Sequence, residues 1–404
     1  MVDRIFYKWH PIEDLPANPH SLQKPELKSL AEVWEEQRQV LGNAESLQIF
    51  NERLKREWSI ETGLLERIYV LDRGITETLI ERGIDAALIP NRGTDKDPKL
   101  VAAILRDHKE VIDGLFTFVK GERQLGTSYI KELHAVLTRH QDTCSAIDSL
   151  GRHVEVEPIK GDYKRWPNNP VREDGSIHEY CPPEHVAAEM ERLVALHDAH
   201  SVAGVSPEVE SAWLHHRFTQ IHPFQDGNGR VARCLATIVF IRAGWFPLVV
   251  RDTESEKKRY LDTMEEADLG DMHQIVSLFA ALQKRAFVQA LGISAQVLDL
   301  ARPEQIITAA KKRLVDREKT RRDEWESAKG TAHQLQMTGE ARLNEIAERL
   351  SKEICEYYPN ARFFVDNEPS TGERGHYFRW QIIEVAKQLN YYANPSEYRI
   401  LCSI

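Results

Sequence analysis

The sequence has few cysteines, and their arrangement argues against two classes of cross-linked protein. Five cysteines occur among 404 residues, an odd number, and none stands in a CxxC pair. A disulfide framework normally uses an even set of cysteines, and a structural zinc site normally uses closely paired ones. Neither kind of cross-link is therefore expected. The cysteines are Cys144, Cys181, Cys234, Cys355 and Cys402.

Long hydrophobic runs are also missing. The longest apolar runs, such as CLATIVFI from Cys234, fall well short of the roughly 18 residues that a membrane-spanning helix needs. The N-terminal stretch MVDRIFYKWHPIEDLP lacks the apolar centre and the small-residue cleavage site of a signal peptide. We therefore expect a cytoplasmic protein with no membrane partner.

An excess of positive charge is absent as well. Acidic residues number 63 against 53 Lys and Arg residues, and the formal net charge is -10. A chain of this charge is not expected to bind nucleic acid through general electrostatic attraction. The hydrophobic share of 42% and the charged share of 29% are ordinary for a globular protein. A length of 404 residues suffices for two or three domains.

Apolar residues recur at helical spacing over most of the first 290 residues. Within residues 24–83, apolar positions at intervals of three and four predict amphipathic helices in LKSLAEVWEEQRQVL and AESLQIFNERLKREWSI. Another helix is predicted at TSYIKELHAVLTRH, which begins at Thr127. We expect a mainly α fold, with an N-terminal helical region over residues 1–125 and a core over residues 126–290.

Other segments depart from this pattern. HVEVEPI, from His153, alternates like a short strand, and GDYKRWPNNPVREDGSIHEYCPP is too rich in Pro, Gly and Asn for a helix, which predicts a hairpin or a long loop. KKRLVDREKTRRDEWESAK predicts an exposed helix, whereas the stretch from ARFFVDNEPS to EYRILCSI is typical of mixed α and β structure. Residues 300–404 are thus expected to form a C-terminal accessory part, mixed α/β or helical.

The stretch IHPFQDGNGRVAR, residues 221–233, concentrates groups that suit a phosphate ligand. It leads into a predicted helix, and the start of a helix offers unpaired N–H groups and a partial positive charge to an anion. Gly227 and Gly229 allow the backbone to approach a ligand closely. The amide of Asn228, between them, is suited to orienting a phosphate oxygen. The stretch therefore predicts an anion site.

Side chains in the same stretch supply the other parts of phosphate chemistry. Arg230 and Arg233 share one face of the predicted helix and form a cationic clamp suited to a polyphosphate. Asp226 offers a hard oxygen ligand for Mg²⁺. His222 is a candidate base for the proton of an attacking hydroxyl. Each residue alone is more often structural, but the combination favours phosphoryl or nucleotidyl transfer.

HPFQDGNGRVAR resembles the motif of the Fic family, HPFx(D/E)GNGRxxR, at every specified position. The resemblance extends from about Thr127 to Phe287 and implies a Fic-fold helical core with a small β-hairpin flap. Family members mostly transfer AMP from ATP to a Tyr, Thr or Ser hydroxyl of a protein. The resemblance thus implies an adenylyltransferase with ATP as substrate, His222 as the base and Asp226 as the ligand of Mg²⁺.

The resemblance also assigns the nucleotide contacts. It implies that Asn228 and the amides of Gly227 and Gly229 hold the region of the α-phosphate. Arg230 and Arg233 are then expected to hold the outer phosphates. A further role, anchoring the loop in the core, falls to Phe224 of the same motif. The intact GNGR argues against the branch of the family that uses ATP as a phosphate donor.

A second motif implies that the enzyme is autoinhibited. Fic enzymes are commonly inhibited by a helix carrying (S/T)xxxE(G/N), whose glutamate pairs with the second arginine of the motif. In TGLLER, Thr62 and Glu66 have the required spacing, but Arg67 stands where Gly or Asn is usual. Glu61 is a rival candidate for the glutamate. The resemblance implies that Glu66 withholds Arg233 from ATP.

The expected partner is a target protein that is modified on a hydroxyl group. The segment HVEVEPIKGDYKRW is the candidate flap, since an extended segment beside the site aligns a target by backbone pairing. The protein itself is a second expected target, through self-adenylylation. Three alternatives stay open: another nucleotide donor, removal of AMP, and a nucleotide-sensing regulatory or binding module.

Overall fold

The structure is a computed structural model that describes residues 5–42, 44–147, 153–172, 174–297, 302–359 and 384. The chain divides into two compact units, Met1–Lys311 and Lys312–Ile404. The boundary predicted near residue 125 falls inside the first unit and stays a prediction. The mixed α and β structure predicted from ARFFVDNEPS onward lies outside the described residues, apart from Glu384.

The described residues are mainly helical, as the periodicity predicts. Single 3-10 turns lie at Pro19–Leu22, Ala86–Leu88 and Asn91–Gly93. The α-helices are α1 (Pro25–Leu41), α2 (Glu45–Leu65), α3 (Arg73–Arg82), α4 (Pro98–Lys120), α5 (Thr127–Leu137), α6 (Pro183–Ala203), α7 (Pro207–Ile221), α8 (Asn228–Arg242), α9 (Glu254–Asp268), α10 (Met272–Val297) and α11 (Arg302–Ile354). The strands are β1 (Ile5–Tyr7), β2 (Cys144–Ile147), β3 (His153–Val156) and β4 (Ile177–His178).

Helices α7 and α8 form the centre of the first unit. They pack against each other, and nearly all of their residues are buried, including polar ones. A helix that is buried on all sides lies inside a larger helical assembly. Helices α4, α5, α6 and α10 pack around this pair. The loop between α7 and α8 is therefore held by two deeply buried helices.

The described strands form two small two-stranded sheets. Strand β3 confirms the strand predicted at HVEVEPI, and it pairs antiparallel with β2, which the sequence pattern did not predict. The segment after β3 is a long connection in which only β4 is a strand. Strand β4 pairs in parallel with β1, near the N-terminus. Of the helices in the described ranges, none combines the length and the apolarity needed to cross a bilayer.

Candidate active site

The IHPFQDGNGRVAR stretch forms a tight loop between α7 and α8. Helix α7 ends at Ile221, and the next residue, His222, adopts a left-handed conformation with φ 50° and ψ 59°. Gly227, with φ 82°, precedes α8 and again requires the left-handed region. A Cβ at Gly227 would lie 3.0 Å from the side chain of Thr138, so both the backbone and the available space favour glycine there.

Phe224 anchors this loop in the core. Its side chain is 0% exposed. The ring stacks on His134 of α5, with the ring centroids 3.8 Å apart. His134 in turn supports the loop, since its Nε2–H donates to the carbonyl of Asp226 over 3.0 Å while its Nδ1 accepts from the backbone N–H of Gly161.

Truncation of Phe224 is therefore expected to destabilise the fold. We expect Phe224→Ala to lower the free energy of unfolding by about 3–5 kcal/mol, because the cavity adds to the lost apolar transfer term. Chemical denaturation followed by circular dichroism measures this difference. Phe224→Leu, which keeps more of the apolar volume, is the matched control and is expected to lose less. An equal loss in both variants would contradict the anchoring role.

The Asn228 side chain closes the loop on itself. Its Nδ2 donates to the carbonyl of Phe224 over 2.8 Å, and its Oδ1 accepts from the backbone N–H of Phe224 over 2.9 Å. Both ends of the amide thus contact the backbone of the loop and fix its shape. The role of Asn228 in orienting a phosphate oxygen stays a prediction.

His222 is held in the form that a general base requires. Its Nδ1 lies 3.2 Å from the carbonyl oxygen of Thr219. A carbonyl only accepts, so Nδ1 carries the proton and Nε2 keeps a free lone pair. Burial lowers the pKa of His222 from 6.5 to about 3, and the charge of Lys164 acts in the same direction. The imidazole is thus neutral at pH 7. The Tyr180 ring stacks on it at a centroid distance of 3.7 Å.

Asp226 presents a carboxylate at the mouth of the loop. The side chain is 44% exposed. One oxygen accepts from the backbone N–H of Gly227 over 2.6 Å, and the other accepts from the Gln141 side chain. Burial raises its pKa, but the charge of Arg230 and these hydrogen bonds outweigh burial, so the pKa is lowered and the group is ionised.

The Asp226 carboxylate is suited to a Mg²⁺ ion that is also bound by a phosphate group. The described residues contain no cluster of three or more metal-ligating side chains. Mg²⁺ in phosphate chemistry is commonly held by one or two carboxylates together with substrate phosphates and water. Each Asp226 oxygen retains a second lone pair. The residues therefore suit an ion that arrives with a phosphate ligand.

Arg230 is fixed between α8 and the end of α5. It is almost fully buried, and its Nη1 donates to the carbonyl of Leu137 over 2.7 Å. Its Nη2 donates to Gln141 Oε1 over 2.8 Å and lies 3.9 Å from Asp226. Gln141 thus bridges the arginine and the carboxylate.

Arg233 is bound to the end of α2. Its Nε donates to the Thr62 hydroxyl over 2.6 Å, and its Nη2 donates to the Thr62 carbonyl over 3.0 Å. The same Nη2 lies 2.8 Å from Glu66 Oε1. The arginine is 2% exposed and Glu66 is 26% exposed, so this ion pair is largely shielded from water.

The Glu66 carboxylate also lies against the first turn of α8. A Cβ added at Gly229 would collide with Glu66 Oε1. Only a glycine therefore leaves room for the carboxylate beside this turn. The start of a helix favours negative charge, and Glu66 supplies that charge within the protein itself.

The structure separates the two glutamates that the sequence analysis left as rivals. Glu61 accepts from the Arg73 guanidinium over 2.7 Å and from the backbone N–H of Asp252, also over 2.7 Å. Glu66 alone of the two contacts Arg233. The next residue, Arg67, has φ 52°. This left-handed conformation explains why Gly or Asn is expected there, and a bulky residue in it costs roughly 1–2 kcal/mol.

A cavity of about 330 Å³ opens beside these groups. It is lined by Glu66, Gln141, Asp226 and Arg230, together with residues of α4 and the end of α5. A space of this kind, with convergent charged groups, is typical of a ligand site. Of the lining residues, Gln141 was missed by the sequence analysis, because TRHQDT carries no pattern that marks it.

Residues 124–240 match the family model described as Fic/DOC family. The protein adenylyltransferase fic-1 of Caenorhabditis elegans is 25% identical over 228 residues, which are 55% of this chain and 38% of that protein. The protein adenylyltransferase Fic of Drosophila melanogaster is 30% identical over 155 residues, 37% of this chain and 30% of that protein. The chain thus spans about a third of the length of these curated relatives.

Solved structures give the same fold. A Fic domain containing signaling protein from Bacteroides thetaiotaomicron matches with a TM-score of 0.54 and 23% identity, over 69% of this chain and 98% of that one. Fic-1 from C. elegans matches with a TM-score of 0.50 and 18% identity, over 69% and 74% of the two chains. The mainly helical Fic fold with its small β2–β3 hairpin is thereby confirmed. Residues 124–240 thus match the Fic/DOC family model, and the chain is similar over part of its length to the protein adenylyltransferases Fic.

Proposed function

We propose that this protein transfers AMP from Mg·ATP to a hydroxyl group of a protein, and that Glu66 inhibits the transfer. The observation that carries the proposal is the Glu66 carboxylate itself. It lies against the first turn of α8 and 2.8 Å from Arg233, which is a position suited to a phosphate group. In the inhibited protein the Glu66 carboxylate supplies the negative charge at the start of α8. When Glu66 leaves, a phosphate group of ATP takes its place.

His222 is the base in this proposal. The hydroxyl oxygen of the target attacks the α-phosphorus of ATP, the bond to the departing pyrophosphate breaks, and the hydroxyl proton passes to Nε2 of His222. The hydrogen bond from Nδ1 to Thr219 keeps Nε2 available for that proton. A positioned base of this kind is typically worth roughly 10²–10⁴ in rate.

The anion loop and the two arginines bind the donor. The backbone N–H groups at the start of α8 face the α-phosphate region, and Arg230 and Arg233 neutralise the outer phosphates. Asp226 is the side chain that would hold Mg²⁺, and the ion would supply charge neutralisation of the leaving group. In this proposal Arg233 reaches the γ-phosphate only after it has lost Glu66.

The target protein is proposed to dock along β3. Within the described residues, β3 pairs with β2 along one edge only. The other edge of β3 therefore offers free N–H and C=O groups. A target segment that adds to this edge is aligned by its backbone, and its hydroxyl side chain is presented to His222 without further sequence requirements.

Labelled donors test the reaction type. Glu66→Gly protein is incubated with Mg²⁺ and ATP carrying a label in either the α- or the γ-phosphate, and protein-bound label and intact mass are measured. We expect the α-label to stay on the protein and the γ-label to leave with pyrophosphate. The reverse pattern would indicate phosphate transfer. CTP, GTP and UTP in parallel reactions identify the preferred donor, and no incorporation from any of them would contradict the proposal.

A second candidate is removal of AMP from a modified protein. Glu66 and Asp226 line the same cavity. Asp226 would hold Mg²⁺, which would supply charge neutralisation, and Glu66 would accept the proton of a water that attacks the phosphodiester. Wild-type protein is mixed with AMP-modified Glu66→Gly protein, and the loss of AMP is followed by mass. Loss that depends on Glu66 of the added protein would favour this second activity.

A further inference from the structure

Lys164 is a buried basic residue beside the active-site loop, and the proposed reaction does not use it. It is 4% exposed. Its backbone N–H donates to the carbonyl of Pro223, directly after His222, over 2.8 Å. Its Nζ donates to Oδ1 of Asn168 over 2.8 Å. Lys164 therefore contacts the loop through its main chain and an amide through its side chain.

Asn168 carries the contact onward to the loop. Its Nδ2 donates to the carbonyl of Phe224 over 2.9 Å and to the carbonyl of Gln225 over 3.2 Å. The orientation of this amide is fixed, because its oxygen must face a donor while its nitrogen faces two acceptors. Lys164 is that donor.

Among the described residues, no carboxylate acts on the pKa of the ammonium group, and the Cys181 thiol acts against the effect of burial. Burial without a counter-ion lowers the pKa of Lys164 from 10.5 to about 7. The side chain is therefore charged below neutral pH and largely neutral above it.

His222 is the titratable group that this charge acts on. The groups that face its imidazole are the stacked Tyr180 ring, Lys164, His178 and Asp226. Of these, Lys164 has the largest effect on the pKa of His222 after burial, and it disfavours the protonated form. Nζ lies 5.8 Å from the centroid of the Tyr180 ring that covers His222.

We propose that Lys164 is a positioning residue for His222. Lys164 holds the loop through Asn168, and its charge sets how readily His222 accepts a proton. A charged Lys164 opposes the imidazolium that forms when the target hydroxyl is deprotonated. A neutral Lys164 does not. The effect on catalysis rests on the proposed function, whereas the coupling between the two side chains does not.

The coupling is measured by NMR, without substrate. The ¹³Cε1 resonance of His222, assigned by its loss in His222→Ala, is followed from about pH 6 to pH 9. In the wild type we expect an inflection near pH 7, because the neutral imidazole senses the titration of Lys164. Lys164→Met and Lys164→Arg, which are uncharged and always charged across this range, are expected to lose the inflection. A flat wild-type curve, or an unchanged inflection in Lys164→Met, would overturn the proposal.

The catalytic consequence is measured in the Glu66→Gly background as the initial rate of label incorporation against pH. We expect the rate to rise about tenfold through pH 7 with Lys164 intact, since a like charge typically shifts a neighbouring pKa by about one unit or more. Lys164→Arg is expected to keep the low rate at pH 8, and Lys164→Met to show no step. A step that survives in Lys164→Met would contradict the role.

Asn168→Ala separates the two parts of the proposal. It retains the charge of Lys164 and removes the link to the loop, so we expect a lower rate at every pH with the NMR inflection preserved. An unchanged rate would contradict the holding role of Lys164. The protein could show the Lys164-dependent NMR inflection and still incorporate no label. That result would overturn the proposed function but would support the coupling between Lys164 and His222.

Discussion

Glu66→Gly is expected to increase self-labelling from ATP by about 10- to 100-fold over the wild type. Glu66 pairs with Arg233 and lies against the first turn of α8. Removing the Glu66 carboxylate breaks its ion pair with Arg233 and also leaves the start of α8 open to a phosphate group. The expected gain corresponds to a coupling free energy of about 1–3 kcal/mol, the usual range between linked sites. Intact mass and label incorporation measure it.

The fold is expected to survive this change. Arg233 keeps two hydrogen bonds to Thr62, so its guanidinium is not left without partners. Glu66 follows the last residue of α2, outside the helix, where glycine is well tolerated. A thermal melt close to that of the wild type is the accompanying control.

Two matched variants narrow the interpretation. Glu61→Gln removes the rival carboxylate, which contacts Arg73 and Asp252, and is expected to leave labelling at the wild-type level. Arg67→Gly relieves a left-handed non-glycine residue and is expected to preserve inhibition. Equal labelling by wild type and Glu66→Gly, with both proteins folded, would contradict the inhibitory role of Glu66.

Local signals in the sequence account for much of the site. The helix that leads into the motif, the glycine at the start of α8 and the spacing of Thr62 and Glu66 depend on residues close in sequence, so they are visible without a structure. The departure at Arg67 is instructive. The expectation of Gly or Asn reflects a left-handed backbone, and the structure has that backbone despite the arginine.

Contacts between distant segments could not be predicted. Strand β2 is only four residues long, which is too short for a distinctive pattern, and β1 pairs with β4 across most of the N-terminal half of the chain. Gln141 and Lys164 belong to the site only because the loop folds against them. The contacts of the Asn228 amide are local, since Phe224 is four residues away, but they follow from burial, because a buried amide pairs with the nearest backbone groups.

Substitution of His222 is expected to abolish the activity that Glu66→Gly releases. In that background we expect His222→Asn to lower the initial rate of AMP incorporation by about 10²–10⁴-fold, because the variant lacks the base that is positioned for the hydroxyl proton. Asparagine is preferable to alanine, since His222 has φ 50° and Asn tolerates the left-handed region better than Ala. The loss then reports on the base and not on a distorted loop.

Nucleotide binding separates chemistry from affinity in this variant. The anion loop, Asp226 and both arginines are unchanged by His222→Asn, so the affinity for a non-hydrolysable ATP analogue, measured by calorimetry, is expected to stay within about threefold of the parent. A residual rate within tenfold of the parent would remove His222 from the role of base. Loss of rate with binding retained would identify proton transfer to Nε2, which the Thr219 carbonyl keeps unprotonated, as the step that requires this side chain.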